Sequence, residues 1–173
     1  MSTTTIEERL AEIRDRIDRL QARERAAAPG ERARLGRHLD VLEHEEASVR
    51  AAVRNAPDEV EEKLGQLSTR LDVAEHSLAA DVSGDWPSFA AAVEAELRSW
   101  DTYLERLQTS VAARAWKARA QAEAAIGDVR SRRIEVDERL AEGRDAPGEA
   151  RERVTAARDK LERKADELSA RIK

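Results

Sequence analysis

The stretch GDWPSFAAAVEAELRSWDTYLERLQTSV, residues 84–111, decides how the chain is read. It holds four of the five aromatic residues, Trp86, Phe89, Trp100 and Tyr103, and Trp116 follows shortly after. Phe89, Val93, Leu97, Trp100, Leu104, Leu107 and Val111 recur every three or four positions. That is the spacing of one packed face of an α-helix. Asp85 stands two residues before Pro87. A short acidic side chain can cap the free N–H groups of a helix start, and proline is tolerated in the first turn because its missing N–H is not needed there. Trp86 and Phe89 therefore open a helix, and with Trp100 they are expected to fill its core side.

Working upstream, Pro29, Pro57 and, far downstream, Pro147 sit in the same kind of setting, each followed by an acidic residue that suits the positive end of a helix dipole. The spacings follow a unit of about 29 residues, with one proline absent near Lys117. Between the marks run further stripes. They are Ile6, Leu10, Ile13, Ile17, Leu20; then Leu35, Leu39, Leu42, Val49, Val53, with Glu46 where an apolar residue is due; then Val60, Leu64, Leu67, Leu71, Ala74, Leu78. The last segment shows Val154, Ala157, Leu161, Ala165, Leu168, Ile172.

Downstream of Val111 the stripe continues in phase through Ala115, Ala118, Ala122, Ala125, Val129, Val136 and Leu140. The pattern predicts one double-length helix over 87–142, about 84 Å long at 1.5 Å per residue. The fold class expected is all-α: an elongated antiparallel bundle or coiled coil of about five helices, over 4–27, 30–54, 57–81, 87–142 and 148–172. A bundle of residues 1–113 would carry a protruding hairpin, 114–173. At Pro57 the stripe phase favours a kink and the capping pattern a break; the break is the reading adopted. A protruding pair of helices leaves its stripe half covered, which predicts a homodimer.

Composition narrows the chemistry. The 173 residues are 39% charged and 3% aromatic, a helix-rich composition. Arginine outnumbers lysine 26 to 5, which together with the alanine excess suggests a GC-rich source genome. There is no cysteine, so no disulfide, thiolate nucleophile or Cys-ligated metal. No apolar run approaches membrane-spanning length and the N-terminus has no signal-type apolar core, which predicts a cytoplasmic location and no membrane association. The net charge is −5, yet residues 56–110 alone carry 4 basic and 12 acidic side chains. An acidic total argues against nucleic acid, and the acidic segment suggests a protein partner with a basic face.

No phosphate loop, nucleophile elbow or triad stands out, and no catalytic residue or cofactor is expected. Asp40-x-x-x-His44 and Asp72-x-x-x-His76 place an acid and a histidine on one helix face, but a metal needs three or four ligands from several helices. The arginines 130, 132, 133, 139 and 144 interleave with Glu135, Asp137, Glu138 and Glu142, which reads as a solvated mixed face. The function expected is a non-catalytic scaffold or interaction protein working through helix packing and self-association. Its partner-binding residues would be Tyr103 and Trp116, on the flank of the stripe, with Ala115, Ala118 and Ala122 allowing close helix approach. The alternative is a peripheral lipid-binding amphipathic protein, against which the narrow apolar stripe argues.

Overall fold

The structure is a computed structural model that describes residues 3–112 and 115–172. Those residues form six α-helices: α1 Thr3–Ala26, α2 Pro29–Asn55, α3 Val60–Val82, α4 Trp86–Ala112, α5 Trp116–Glu142 and α6 Pro147–Ile172. A single 3-10 turn, Pro57–Glu59, joins α2 to α3. The chain breaks at Pro57: Ala56 leaves the helical region at φ −148°, ψ 67°. All four prolines lie at helix or turn starts. At α4 the start signal works as the sequence predicts. Asp85 Oδ1 accepts the Ser88 N–H at 2.9 Å and Oδ2 accepts the Ser88 hydroxyl at 2.9 Å.

Successive helices run antiparallel, as the cross-helix pairs show. Gln21 meets Glu43, Lys63 meets Ser48, and His76 meets Ser99. α3 packs most extensively on α4, and α5 on α6. One aliphatic core lies within α1, α2 and α3, around Ile17, Leu42, Leu64 and Leu71. The other lies among α4, α5 and α6, around Val93, Leu97, Val129 and Leu161, and takes Val73 and Ala80 from α3. Phe89 and Trp100 are buried in it and Trp86 is half-buried against it. At the α5–α6 turn a Cβ on Gly143 would overlap the Trp86 ring and Ala150, so the turn needs a glycine for closeness of packing.

Three expectations change. The double-length helix is two helices: α4 ends at Ala112, and Ala115, at φ −55° and ψ 142°, stands outside α5. There are therefore six helices, and the boundary falls near the place where the 29-residue spacing lacks its proline. The hairpin 114–173 does not protrude. α6 lies beside α2, α3 and α4, with Arg158 bonded to Glu96 and Glu162 beside His38. Burial decides this. Folding back covers Ile126, Val129, Val136 and Leu140, each worth about 1.5–3 kcal/mol. Interrupting a helix without a cap costs about 1 kcal/mol at each end, which is the smaller term.

Candidate functional site: a charged seam and an exposed helix head

α6 carries two parallel stripes. The apolar one, Val154, Ala157, Leu161, Ala165, Leu168, is buried against its own half of the molecule. Beside it run Arg151, Thr155, Arg158, Glu162, Asp166 and Ser169, again at three- and four-residue spacing. This second stripe faces α2, α3 and α4 and builds a charged seam between the two aliphatic cores.

Arg158, fully buried, is the centre of the seam. Its Nε donates to Glu96 Oε2 at 2.8 Å, Nη1 to Asp81 Oδ1 at 2.9 Å, and Nη2 to the Ser77 hydroxyl at 2.9 Å and carbonyl at 3.1 Å. One turn on, the Glu162 carboxylate lies 3.2 Å from His38 Nε2 and accepts from Arg37 at 3.2 Å and from the Ser77 hydroxyl at 3.3 Å. Arg34 bridges Asp81 and Asp159. Arg70 donates to Asp166 at 2.7 Å, and its guanidinium lies 4.3 Å from the centre of the Trp100 ring. A cation over an aromatic face offsets part of the loss of water around Arg70.

The electrostatics differ along the seam. Burial pushes Glu96 above the ordinary carboxylate range, against the pull of Arg158. Burial acts the same way on Glu162, but His38, Arg34 and Arg158 outweigh it and hold that carboxyl at about 2. Burial, followed by the Glu45 charge, raises Tyr103. Every carboxylate of the seam has at least one arginine within ion-pair distance. The arrangement is an ion-paired, directional joint between helices. At its lower end a cleft of about 780 Å³ opens, with Tyr103, Glu45 and Ser169 at its base and His44, Glu62 and Lys63 towards its mouth.

The sequence candidates are divided between interior and surface. Tyr103, expected on a binding flank, is only 1% exposed. Its hydroxyl donates to Glu45 at 2.9 Å and lies 3.2 Å from the Ser169 hydroxyl. α6 covers the flank that a free hairpin would have left open, so this residue is spent inside the chain. Ala122 is buried in the α4–α6 core. Trp116, by contrast, is 82% exposed, and Ala115 and Ala118 are exposed with it. All of 115–121 lies at the surface, so Ala115 and Ala118 depart from the buried stripe expected of them.

Seven of the twelve acids of 56–110 find an arginine from elsewhere in the chain. Glu61 pairs with Arg9, Asp72 and Glu75 with Arg16, Asp81 with Arg34 and Arg158, Glu94 with Arg144, Glu96 with Arg158 and Asp101 with Arg133. Glu46, the misfit in the second stripe, is buried and held by Arg14 at 2.8 Å and Arg50 at 2.6 Å. Asp72 is thus taken by Arg16, and His76 Nδ1 lies 3.0 Å from the Ser99 hydroxyl. Among the described residues no three His, Asp or Glu side chains are grouped as a metal ion would need. The arginines of α5 pair with Gln108, Asp101, Glu135, Asp137 and Glu142. The seam itself was missed because its residues read as ordinary helix surface; the doubled stripe of α6 was the available signal.

Comparison with protein-family models, with curated proteins and with solved structures finds no match. Among the described residues no helix is long and apolar enough to cross a membrane.

Proposed function

We propose that the protein is a non-catalytic scaffold that acts by helix–helix packing and self-association, with the head of α5 as its contact surface. One observation carries this reading: Trp116 is 82% exposed at the first position of a helix whose next turns are also at the surface. A large rigid aromatic is a typical interface anchor, and truncating one commonly costs about 2 kcal/mol or more, close to thirtyfold in affinity. Ala115 and Ala118 beside it would let a second helix approach closely. A partner with a basic face has less to bind than the composition suggests, since the acids that would meet it are largely paired internally. Asp58, Glu59, Glu62, Asp85 and Glu105 are the exposed acids of 56–110 without a cross-helix ion pair to arginine in this arrangement.

The test is solution mass by size exclusion with light scattering over a hundredfold range of concentration. A species of twice 19.3 kDa that Trp116→Ala weakens about thirtyfold supports the reading. A monomer throughout, or a dimer indifferent to Trp116, overturns it. A second reading, docking on an anionic lipid surface, draws on Lys117 and Arg119, exposed next to Trp116. A tryptophan flanked by cations suits the interfacial zone of a bilayer. Flotation with anionic vesicles separates the two, because a scaffold of this kind stays in solution.

A further inference from the structure

We propose that self-association proceeds by exchange of the α5–α6 hairpin between two copies, with α4 and α5 joined into one continuous helix in the dimer. The proposal deepens the self-association reading and rests on it. Three observations lead there.

The first is that α5 has no start signal of its own. Its N-cap is Ala115, in extended geometry, without a side-chain cap bond, and no acid stands in its first turn. α2 and α6 begin at prolines and α4 directly after a capping aspartate. From Val111 to Ala122 ten of the twelve residues are Ala, Arg, Lys or Gln, all strong helix formers, with neither glycine nor proline, and the apolar phase is kept. Local preference thus favours continuity where tertiary packing lays α5 back along α4.

The second is the register of α4 on α5. Gln108 meets Arg130, Asp101 meets Arg133, and Glu94 meets Arg144, two residues past the end of α5. The midpoints of these pairs along the chain are residues 119, 117 and 119. A tight hairpin turning between Ala112 and Trp116 would centre on 114. Two continuous helices lying antiparallel about a two-fold axis near Ala118 would make the same three pairs, each between copies.

The third is that what surrounds that axis is uncovered in one chain. The axis falls within 115–121, the surface stretch that contains Trp116, and there the two helices of the dimer would cross. α6 travels with α5, since the two are packed together. It seats Arg158 and Glu162 on the partner's Glu96, Asp81, Ser77 and His38 with the geometry it has in the monomer. Every contact outside the turn is conserved, which is what makes such exchange a low-cost route to a dimer.

The chain has no cysteine, so two can be placed at Asp101 and Arg133, whose side chains meet at 3.0 Å. The full-length D101C/R133C protein is concentrated to the millimolar range, its dimer peak isolated and treated with a short bis-maleimide. On a denaturing gel the expected product of that peak is two chains linked together, while the monomer peak gives single internally linked chains. Internally linked single chains from the dimer peak overturn the exchange and leave surface self-association standing. No dimer at all overturns both. Ala115→Pro supplies a second measurement, because φ −55° suits proline whereas a continuous helix does not. The expected result is dimerisation at least a hundredfold weaker with the monomer's thermal midpoint unchanged. Dimerisation as strong as in the parent chain overturns the proposal.

Discussion

The aliphatic core of α1–α3 and the charged seam along α6 are both buried, and they hold helices together in different ways. In the core, Ile17, Leu42, Leu64, Leu67 and Leu71 are fully enclosed by one another. Their attraction is large and non-directional, so a core of the right volume tolerates small shifts. In the seam, Arg158 reaches two carboxylates and a serine from two other helices at defined distances. A shift of α6 by one residue would break all of these bonds and strand charges without water. The core supplies most of the free energy of folding, and the seam selects the register in which α6 sits.

That contrast can be broken most directly at Arg158. Arg158→Ala is expected to cost about 4 kcal/mol in urea unfolding, because it leaves Glu96 buried without its cation and Asp81 with Arg34 alone. Leu64→Ala, in the aliphatic core, is expected to cost about 3 kcal/mol. The pair Arg158→Met with Glu96→Leu should recover most of the first loss, since Asp81 keeps Arg34. If the double variant is as unstable as the single one, the seam does more than satisfy its own charges.

Acid sharpens the comparison. The folded Glu162 carboxyl lies at about 2 against an ordinary 4.5. A depressed carboxyl contributes its stability above the unfolded value and loses it as the pH falls through the folded one. The loss is expected between pH 4.5 and 2 and is on the order of 3 kcal/mol. Glu96, raised by burial, acts in the opposite sense: its protonation as the pH falls relieves a buried charge. Urea midpoints measured from pH 7 to 2.5 should therefore flatten in Glu162→Gln and steepen in Glu96→Gln. The aliphatic core has no such dependence, and Leu64→Ala should shift the whole profile in parallel.

Smaller effects mark where neither region is involved. Asp85→Ala removes the α4 cap and is expected to lower the midpoint slightly in the same unfolding assay, less than either core or seam variant. Arg133→Ala removes a partly exposed pair with Asp101 and should cost about 0.5 kcal/mol, less again at high salt. A loss at Arg133 as large as that at Arg158 would mean that the α4–α5 pairs set register as the seam does.

Two tryptophans at helix starts show how much was legible in advance. Trp86 follows a capping aspartate and precedes a proline, and both its helix and its packing on the α4–α6 core were readable. Trp116 follows Ala115 and precedes Lys117, with nothing local to begin a helix; the in-phase stripe across it read as continuity. The buried positions of α1, α2, α3, α4 and α6 were likewise carried by periodicity, with Ile6, Leu10, Val53 and Leu78 half-covered at the ends. Charged side chains with the spacing of ordinary helix surface are in part claimed by other helices: Arg16 binds Asp72 and Glu75 on α3, and Asp159 binds Arg34 and Arg37 on α2.

The sequence by itself determined the helical class, most helix starts and the apolar face of each helix, because capping and hydrophobic period act within one or two turns. Tertiary structure alone decided that α5 runs back along α4 and that α6 lies against α2 and α3. The reason is physical. A charged side chain at helical spacing has the same pattern whether it faces water or an arginine on another helix. Only the return of α6, driven by burial of the α5 stripe, brings Arg158, Glu96, Asp81 and Glu162 into one another's reach.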